Sequence, residues 1–372
     1  STKGAADDAT VVTANSSNSS HSSNASMLRS STSSAATDFS FGSDSFNSIA
    51  REENANANAN GSNNMVQRQR DPRNGAFTFQ VNAEYDLLLH IQKDLSDYRK
   101  SIHNNINSNS REDKESDIEL TKVILKSVDA YCLQKQWMYH IGSEKGRAIA
   151  RFLRSGLDKR VADGGANKKK FICVDLGTYC GYSALILALT LRQFLSENEN
   201  NNNEHQPQNQ PPFSSSSPSF EFQIYTTEVS SKLLNVAQSI FRLAKMEHVI
   251  TPILINEPSG GGGGASAADS LATTLKNQHG ITRIDFLLLD HAKHLYLRDL
   301  QDLETSGLLS HGSRVSADNV VFNRLDSYRE HMHRWAREGV VESRLEEMNL
   351  EYSNNLKDGI EMTVYLKDPP RK

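Results

Sequence analysis

Phe171–Ser183 reads FICVDLGTYCGYS. Phe171 to Val174 is a short apolar run, too brief for a helix and typical of a buried strand. Asp175 closes that run, and Gly177 and Gly181 bracket a tight turn. Ser183 then opens the apolar stretch Ala184–Leu195, whose spacing is helical. A strand, a glycine turn and a helix N-terminus in that order form a cradle for a nucleotide-type ligand. Glycines let the backbone approach the ligand, and free N–H groups at the helix start favour anionic groups.

Gly177 and Gly181 do not spell G-x-G-x-x-G, the fingerprint for a dinucleotide pyrophosphate. Asp-x-Gly-x-x-x-Gly suits a ligand without a pyrophosphate, of which S-adenosylmethionine is the usual one. An ordinary strand-to-helix turn of an α/β domain is the competing reading of these residues alone.

The 372-residue chain is long enough for two domains, but much of it cannot feed a core. Apolar residues make up 37% and the mean hydropathy is −0.57, a deficit that sits in a few tracts. A net charge of −4 makes no electrostatic case for nucleic acid or an anionic membrane as partner. Cys132, Cys173 and Cys180 are too few and too apolar in setting for a disulfide framework, which points to a reducing, cytoplasmic compartment. Cys180, inside the turn, reads as a small packing residue because no partner His is evident.

Residues 1–75 form a Ser/Asn-rich tail, with SSNSSHSSNAS and NANANANGSNN as its clearest parts. Such a tract buries too little apolar surface to offset its ordering entropy, so disorder is expected. It has no signal-peptide core, and no run in the chain approaches membrane-spanning length. An N-terminal targeting segment stays open. Residues 76–372 are expected to form one domain, with low-complexity insertions near 196–220 and 257–268. Helices are expected over Tyr85–Tyr98, Ile118–Gln136 and from Glu144 onward, the last capped by Ser143.

Beyond the central helix, strands at Phe222–Thr227, Val249–Ile255, Ile284–Leu289 and from Val315 alternate with helices at Lys232–Met246, Ser270–Gln278, Leu295–Leu309 and Arg324–Arg337. Arg344–Tyr352 and Glu361–Lys367 read as a closing antiparallel hairpin. The alternation predicts an α/β fold, a doubly wound, Rossmann-like, mostly parallel seven-stranded sheet with helices on both faces. Ligands of such sheets sit beyond the carboxyl ends of the strands. Asp175, Glu228, Asp290 and Asp318 each end a strand at that edge. A solvated acidic rim explains any one of them; four together favour a site.

Glu228 is placed to accept both hydroxyls of a ribose. Asp290, Asp318 and Asn319 offer hard oxygen ligands from adjacent strands, a set that suits Mg²⁺ better than zinc. Lys293 lies three residues past Asp290. Beside a divalent cation and partly buried, its pKa is expected to fall, making it a base for a metal-acidified hydroxyl.

AYCLQKQWMYHIGSEKG, DLGTYCGYS, TTEVS, LLLDHAKHLYL, SADNV and LEYSNNLKDGIEMTVY occur in that order. Together they resemble the catechol O-methyltransferase family, from about Tyr85 to Asp368. The resemblance implies that Ile141, Gly177, Tyr179 and Ser183 line the methionine end of S-adenosylmethionine, with Asp175 where the family has Glu. It implies that Glu228 binds the ribose, that His291 lies beside the adenine, and that Asp290, Asp318 and Asn319 ligate Mg²⁺. Lys293 matches the catalytic base and Trp137 an aromatic gatekeeper of the acceptor. Glu351 matches the acid that holds the second catechol hydroxyl, in a register uncertain by one residue relative to Asp358. Ser266 stands for the adenine contacts after the third strand, where the Gly-rich insertion scrambles the match.

The departures gather at the pockets: Ala292 replaces a Trp, Asn323 a Pro, and Tyr139 and His140 a Met and an Asn. The implied function is Mg²⁺-dependent methyl transfer to one hydroxyl of a small catechol-type molecule by a monomer. A caffeoyl-coenzyme A-like methyltransferase is the nearest alternative, but no basic patch for its phosphates is evident. A non-catalytic S-adenosylmethionine-binding module has no use for a base beside a metal, and a metal-dependent phosphoesterase does not account for the donor loop.

Overall fold

The computed structural model describes residues 82–105, 115–163, 170–204, 220–255, 271–353 and 355–370. All of them lie in one, Ser62–Lys372, of the two units into which the chain divides. The expected tail at 1–75, the Gly-rich insertion at 257–268 and most of the insertion at 196–220 lie outside the described residues.

β1 (Phe171–Leu176) is the central strand. It pairs in parallel with β2 (Phe222–Glu228) on one side and β4 (Phe286–Leu289) on the other. β3 (Ile250–Leu254) extends the first side, and β5 (Arg314–Ala317) the second. β7 (Lys357–Tyr365) runs antiparallel between β5 and β6 (Val341–Asn349), giving the order β3-β2-β1-β4-β5-β7-β6. The sheet is seven-stranded and mostly parallel, as the alternation predicts. Strand order reverses at β1, so a crevice opens between the carboxyl ends of β1 and β4.

Both faces of this sheet are covered, which explains the unbroken apolar run in FLLL of β4. Val174, Leu176, Leu287, Leu289, Val315 and Ala317 pack with Tyr296, Leu300, Leu303, Tyr328 and Met332 in one buried cluster. Helices α1 (Ala83–Asn105), α2 (Asp117–Gln134) and α3 (Gly142–Ala162) precede the sheet. α2 and α3 pack on α4 (Tyr182–Glu204), the helix after the glycine turn. The remaining helices are α5 (Ser231–Leu243), α6 (Leu271–His279), α7 (Tyr296–Thr305) and α8 (Asp326–Arg337).

The caps follow sequence rules at two helices. Ser116 accepts from Glu119 N at the start of α2, and Ser230 from Leu233 N at the start of α5. Ser143 does not cap α3. The helix enters through Ile141, already helical, and Gly142 at φ +68°, so Ser143 falls inside it.

α4 runs on past Leu195 to Glu204, because a formed helix extends cheaply through polar residues that its apolar pattern no longer marks. A 3₁₀ turn at Lys293–Leu295 precedes α7, so that helix starts and ends inside the expected span. The hairpin strands lie N-terminal to their expected positions: charges on the half-exposed β6 blur its period, and β7 is buried on nearly every position. Glu351 therefore sits in the turn between β6 and β7 and not on a strand. Cys132, Cys173 and Cys180 are buried thiols, and burial pushes the Cys180 thiol well up, away from nucleophile chemistry.

Candidate active site

The donor side of the crevice is built by the β1–α4 turn. Gly177 has φ +108°, and a Cβ there would lie 2.4 Å from the Asp290 carbonyl oxygen. Only glycine tolerates both conditions. The N–H groups of Gly177 and Thr178 donate to the Thr227 carbonyl, tying the turn to the end of β2.

Asp175 is fully buried, its Oδ2 accepting from Ser183 Oγ at 3.0 Å and Thr226 Oγ1 at 2.8 Å. Burial lifts its pKa to about 7 against those two hydrogen bonds. Its Oδ1 is buried without a partner, an acceptor awaiting a donor such as an ammonium group. Ser183 thus orients Asp175.

Glu228 ends β2 with its carboxylate pinned by three backbone donors, Tyr179 N, Val229 N and Ser230 N, at 2.9 to 3.0 Å. A carboxylate offers about four lone-pair sites, so a ribose using both hydroxyls would take over one of these bonds. Tyr179 holds φ +45° and donates its hydroxyl to Glu84 at 3.2 Å, which brings the first turn of α1 to the site. Ile141 is buried before α3, next to His140, whose pKa burial lowers to about 3.

His291 stacks on Tyr296 with ring centroids 5.0 Å apart, and its Nε2 meets Asp299 Oδ2 at 3.0 Å. Its Nδ1 is buried and unpartnered. Ser266 lies outside the described residues.

The ends of β4 and β5 and the β6–β7 turn build the other side. Lys293 Nζ is 2.8 Å from Asp290 Oδ1 and 2.8 Å from the Tyr296 hydroxyl. That hydroxyl in turn donates to the Leu289 carbonyl at 2.7 Å. Asp318 Oδ1 accepts from Asn319 N at 2.7 Å and lies 2.9 Å from Lys145 Nζ, while its Oδ2 is buried without a partner. Asn319, at φ +58°, donates its amide nitrogen to Asp358 Oδ2 at 2.8 Å and to Glu351 Oε2 at 3.4 Å. Its amide oxygen is then the end that can ligate a cation.

Burial raises the Asp290 carboxyl to about 7, with Asp318 adding to the shift and Lys293 opposing it. The depression expected for Lys293 beside a cation does not come from the protein's own groups. Burial pushes that way, but Asp290 and Asp318 outweigh it and hold the ammonium above its usual value.

Among the described residues, Asp290, Asp318, Glu351 and Asp358 pair with Lys145 and Lys293, a formal excess of two negative charges. The orphan oxygen of Asp318 and that excess fit a hard divalent cation. Among the described residues no group of three or more His, Cys, Asp or Glu is placed to hold a metal ion, so the candidate set is two aspartates and one amide.

Trp137 Nε1 donates to the Glu351 carbonyl at 3.3 Å, and its ring meets Tyr139 edge-on at 5.0 Å. Glu351 does converge on Asn319, in spite of its uncertain register. Asn323 folds back on the Asn319 carbonyl with its backbone and side-chain nitrogens, at 3.1 and 3.3 Å.

Sequence reasoning missed Lys145 and Asp358 as members of this cluster. Lys145 carried a usable signal. It precedes Ile149 and Phe152 by four and seven positions, on the buried face of α3, where a charge must find partners.

No protein-family model matches the chain. Curated relatives do. The chain is 28% identical over 243 residues to a transmembrane O-methyltransferase homolog of Mus musculus, covering 65% of this chain and 74% of that one. It is 26% identical over 250 residues to catechol O-methyltransferase of Bos taurus, covering 67% and 72%. Solved structures similar to it include an O-methyltransferase of Bacillus cereus (TM-score 0.39, 15% identity, 74% of this chain and 99% of that one). Another is the O-methyltransferase TomG of Streptomyces achromogenes (TM-score 0.41, 15% identity, 77% and 99%). Among the described residues no helix is long and apolar enough to cross a membrane. With the six motifs, the two curated relatives make the chain similar to the catechol O-methyltransferase family.

Proposed function

We propose that the protein transfers a methyl group from S-adenosylmethionine to one hydroxyl of a small catechol-type acceptor, with Mg²⁺ held by Asp290, Asp318 and Asn319. One observation carries this reading: the donor cradle and the acidic cluster abut. Gly177 lies so close to Asp290 that no Cβ fits between them, which brings a donor held by the turn next to an acceptor held by the β4 and β5 ends.

Asp175 Oδ1 accepts from the ammonium of the donor's amino acid part, and Glu228 from its ribose. Mg²⁺, when bound, supplies Lewis acidity toward a hydroxyl and offsets the Asp290 and Asp318 charges that hold the Lys293 proton. Lys293 would first give its own proton to solvent, and its neutral Nζ would then take the proton of the reacting hydroxyl. Glu351 accepts from the neighbouring hydroxyl and aims the ring. The acceptor oxygen bonds to the methyl carbon as the carbon–sulfur bond breaks, leaving a methyl ether and a neutral thioether. Holding the two reactants in line can supply about 7–11 kcal/mol of the barrier. The relatives named for O-methyl transfer support the reaction class, and one of them the catechol.

The test is mass spectrometry of protein incubated with S-adenosylmethionine and a panel of catechols, with Mg²⁺ or EDTA. A product heavier by one methyl and absent in EDTA is expected. Donor binding by calorimetry with no methylated product from any catechol would overturn the assigned acceptor.

A further inference from the structure

Glu351 lies in a turn, with no helix or ladder to direct it, yet its side chain is only 7% exposed. Its direction has to come from its neighbours. Three of these belong to one stretch, residues 137–145. The Trp137 indole holds the Glu351 carbonyl at 3.3 Å. A Cβ on Gly142 would stand 3.2 Å from the Glu351 Cβ, so the backbone there backs directly onto the side chain. The Lys145 ammonium, 1% exposed, reaches Glu351 Oε2 at 2.8 Å. The same ammonium lies 2.9 Å from Asp318 Oδ1 and pairs with Asp358.

We propose that Lys145 is a positioning residue that acts through Glu351, aiming its carboxylate at the acceptor's second hydroxyl. The inference rests on the proposed function and deepens it. An ammonium does this where a neutral donor would not. It satisfies three carboxylates at once, and it prevents Glu351 from swinging toward the cation as an extra ligand. A second cation in its place would have to be recruited from solvent.

The experiment is a double-mutant cycle on the full chain with K145M, E351Q and the double variant, read by kcat and KM for a catechol. Two binding measurements accompany it: S-adenosylhomocysteine by calorimetry, and a nitrocatechol in Mg²⁺ by its absorbance change. K145M leaves three carboxylates with one cation fewer, so K145R and K145M/D358N are prepared in parallel to keep the fold.

K145M is expected to lower kcat/KM by roughly 10–100-fold, as the loss of a supporting partner does. Nitrocatechol binding should weaken, with donor binding kept within about threefold. The double variant should be no worse than E351Q, and K145R should recover part of the loss. A K145M protein with wild-type kcat and KM overturns the proposal, as do losses that multiply in the double variant. Wild-type protein that methylates no catechol overturns the functional reading and this inference with it. An active wild type with an indifferent K145M overturns this inference alone.

Discussion

The two sides of the crevice are built on different principles. On the donor side, Asp175, Gly177, Tyr179 and Ser183 come from one nine-residue stretch, with Thr226 and Glu228 from the adjacent strand and Glu84, Ile141 and His291 at the margins. Backbone conformation and backbone hydrogen bonds position it. On the acceptor side, Lys145, Asp290, Asp318, Glu351 and Asp358 come from α3, two strand ends and the hairpin, and charge pairing holds them together. A motif-built site is rigid before its ligand arrives. On the proposed reading, a charge-built site reaches balance through a bound divalent cation.

The largest effect should come from Asp318→Ala. It removes the orphan oxygen and one end of the Lys145 pairing, and turnover should fall on the order of 10³-fold or more, with donor affinity nearly unchanged. Equal loss of donor binding, measured by calorimetry, would show that the two sides are not independent.

Lys293→Met should reduce kcat by about 10²–10⁴-fold, the range of a general base, again with donor binding kept. If instead S-adenosylmethionine no longer binds, Lys293 is not acting as a base. Gly177→Ala attacks the seam between the sides. A Cβ 2.4 Å from the Asp290 carbonyl at φ +108° should weaken donor binding and cost about 1–3 kcal/mol of stability. Unchanged thermal unfolding would mean that the turn relaxes without strain.

The last prediction concerns stability alone and is a pH dependence. Burial lifts Asp175 from its usual 3.8 to about 7, so between those values the folded protein holds a proton that the unfolded chain has released. Stability from this group is therefore greatest at low pH and declines as pH rises from about 4 to about 7. Asp175→Asn should remove that slope. Thermal unfolding of both proteins across the window checks it, and a constant difference between them would contradict the buried carboxyl.

Legibility in the sequence followed the same division. The alternation of apolar strands with amphipathic helices was plain because both faces of the central strands are buried. The donor residues were readable because one local motif carries them. Lys145 and Asp358 were not, because a lysine in a helix and an aspartate in a strand look like solvated charges until folding buries them against each other. The register of Glu351 was ambiguous because an extra residue separates it from Asp358 relative to the family, and the turn it occupies has no period to mark which residue faces inward. The hold that Asp290 and Asp318 keep on the Lys293 proton was not legible because it depends on two carboxylates brought together from separate strands.

What the sequence determined by itself was the order of strands and helices, the glycine turn and the acids at the strand ends. Each is a property of short stretches, set by side-chain periodicity and backbone sterics. Only the tertiary structure decided which charges neutralise one another, which oxygens stay without partners and where Glu351 points. Those are properties of distances between segments far apart in the chain, and electrostatic energy depends on such distances and on the burial that folding creates.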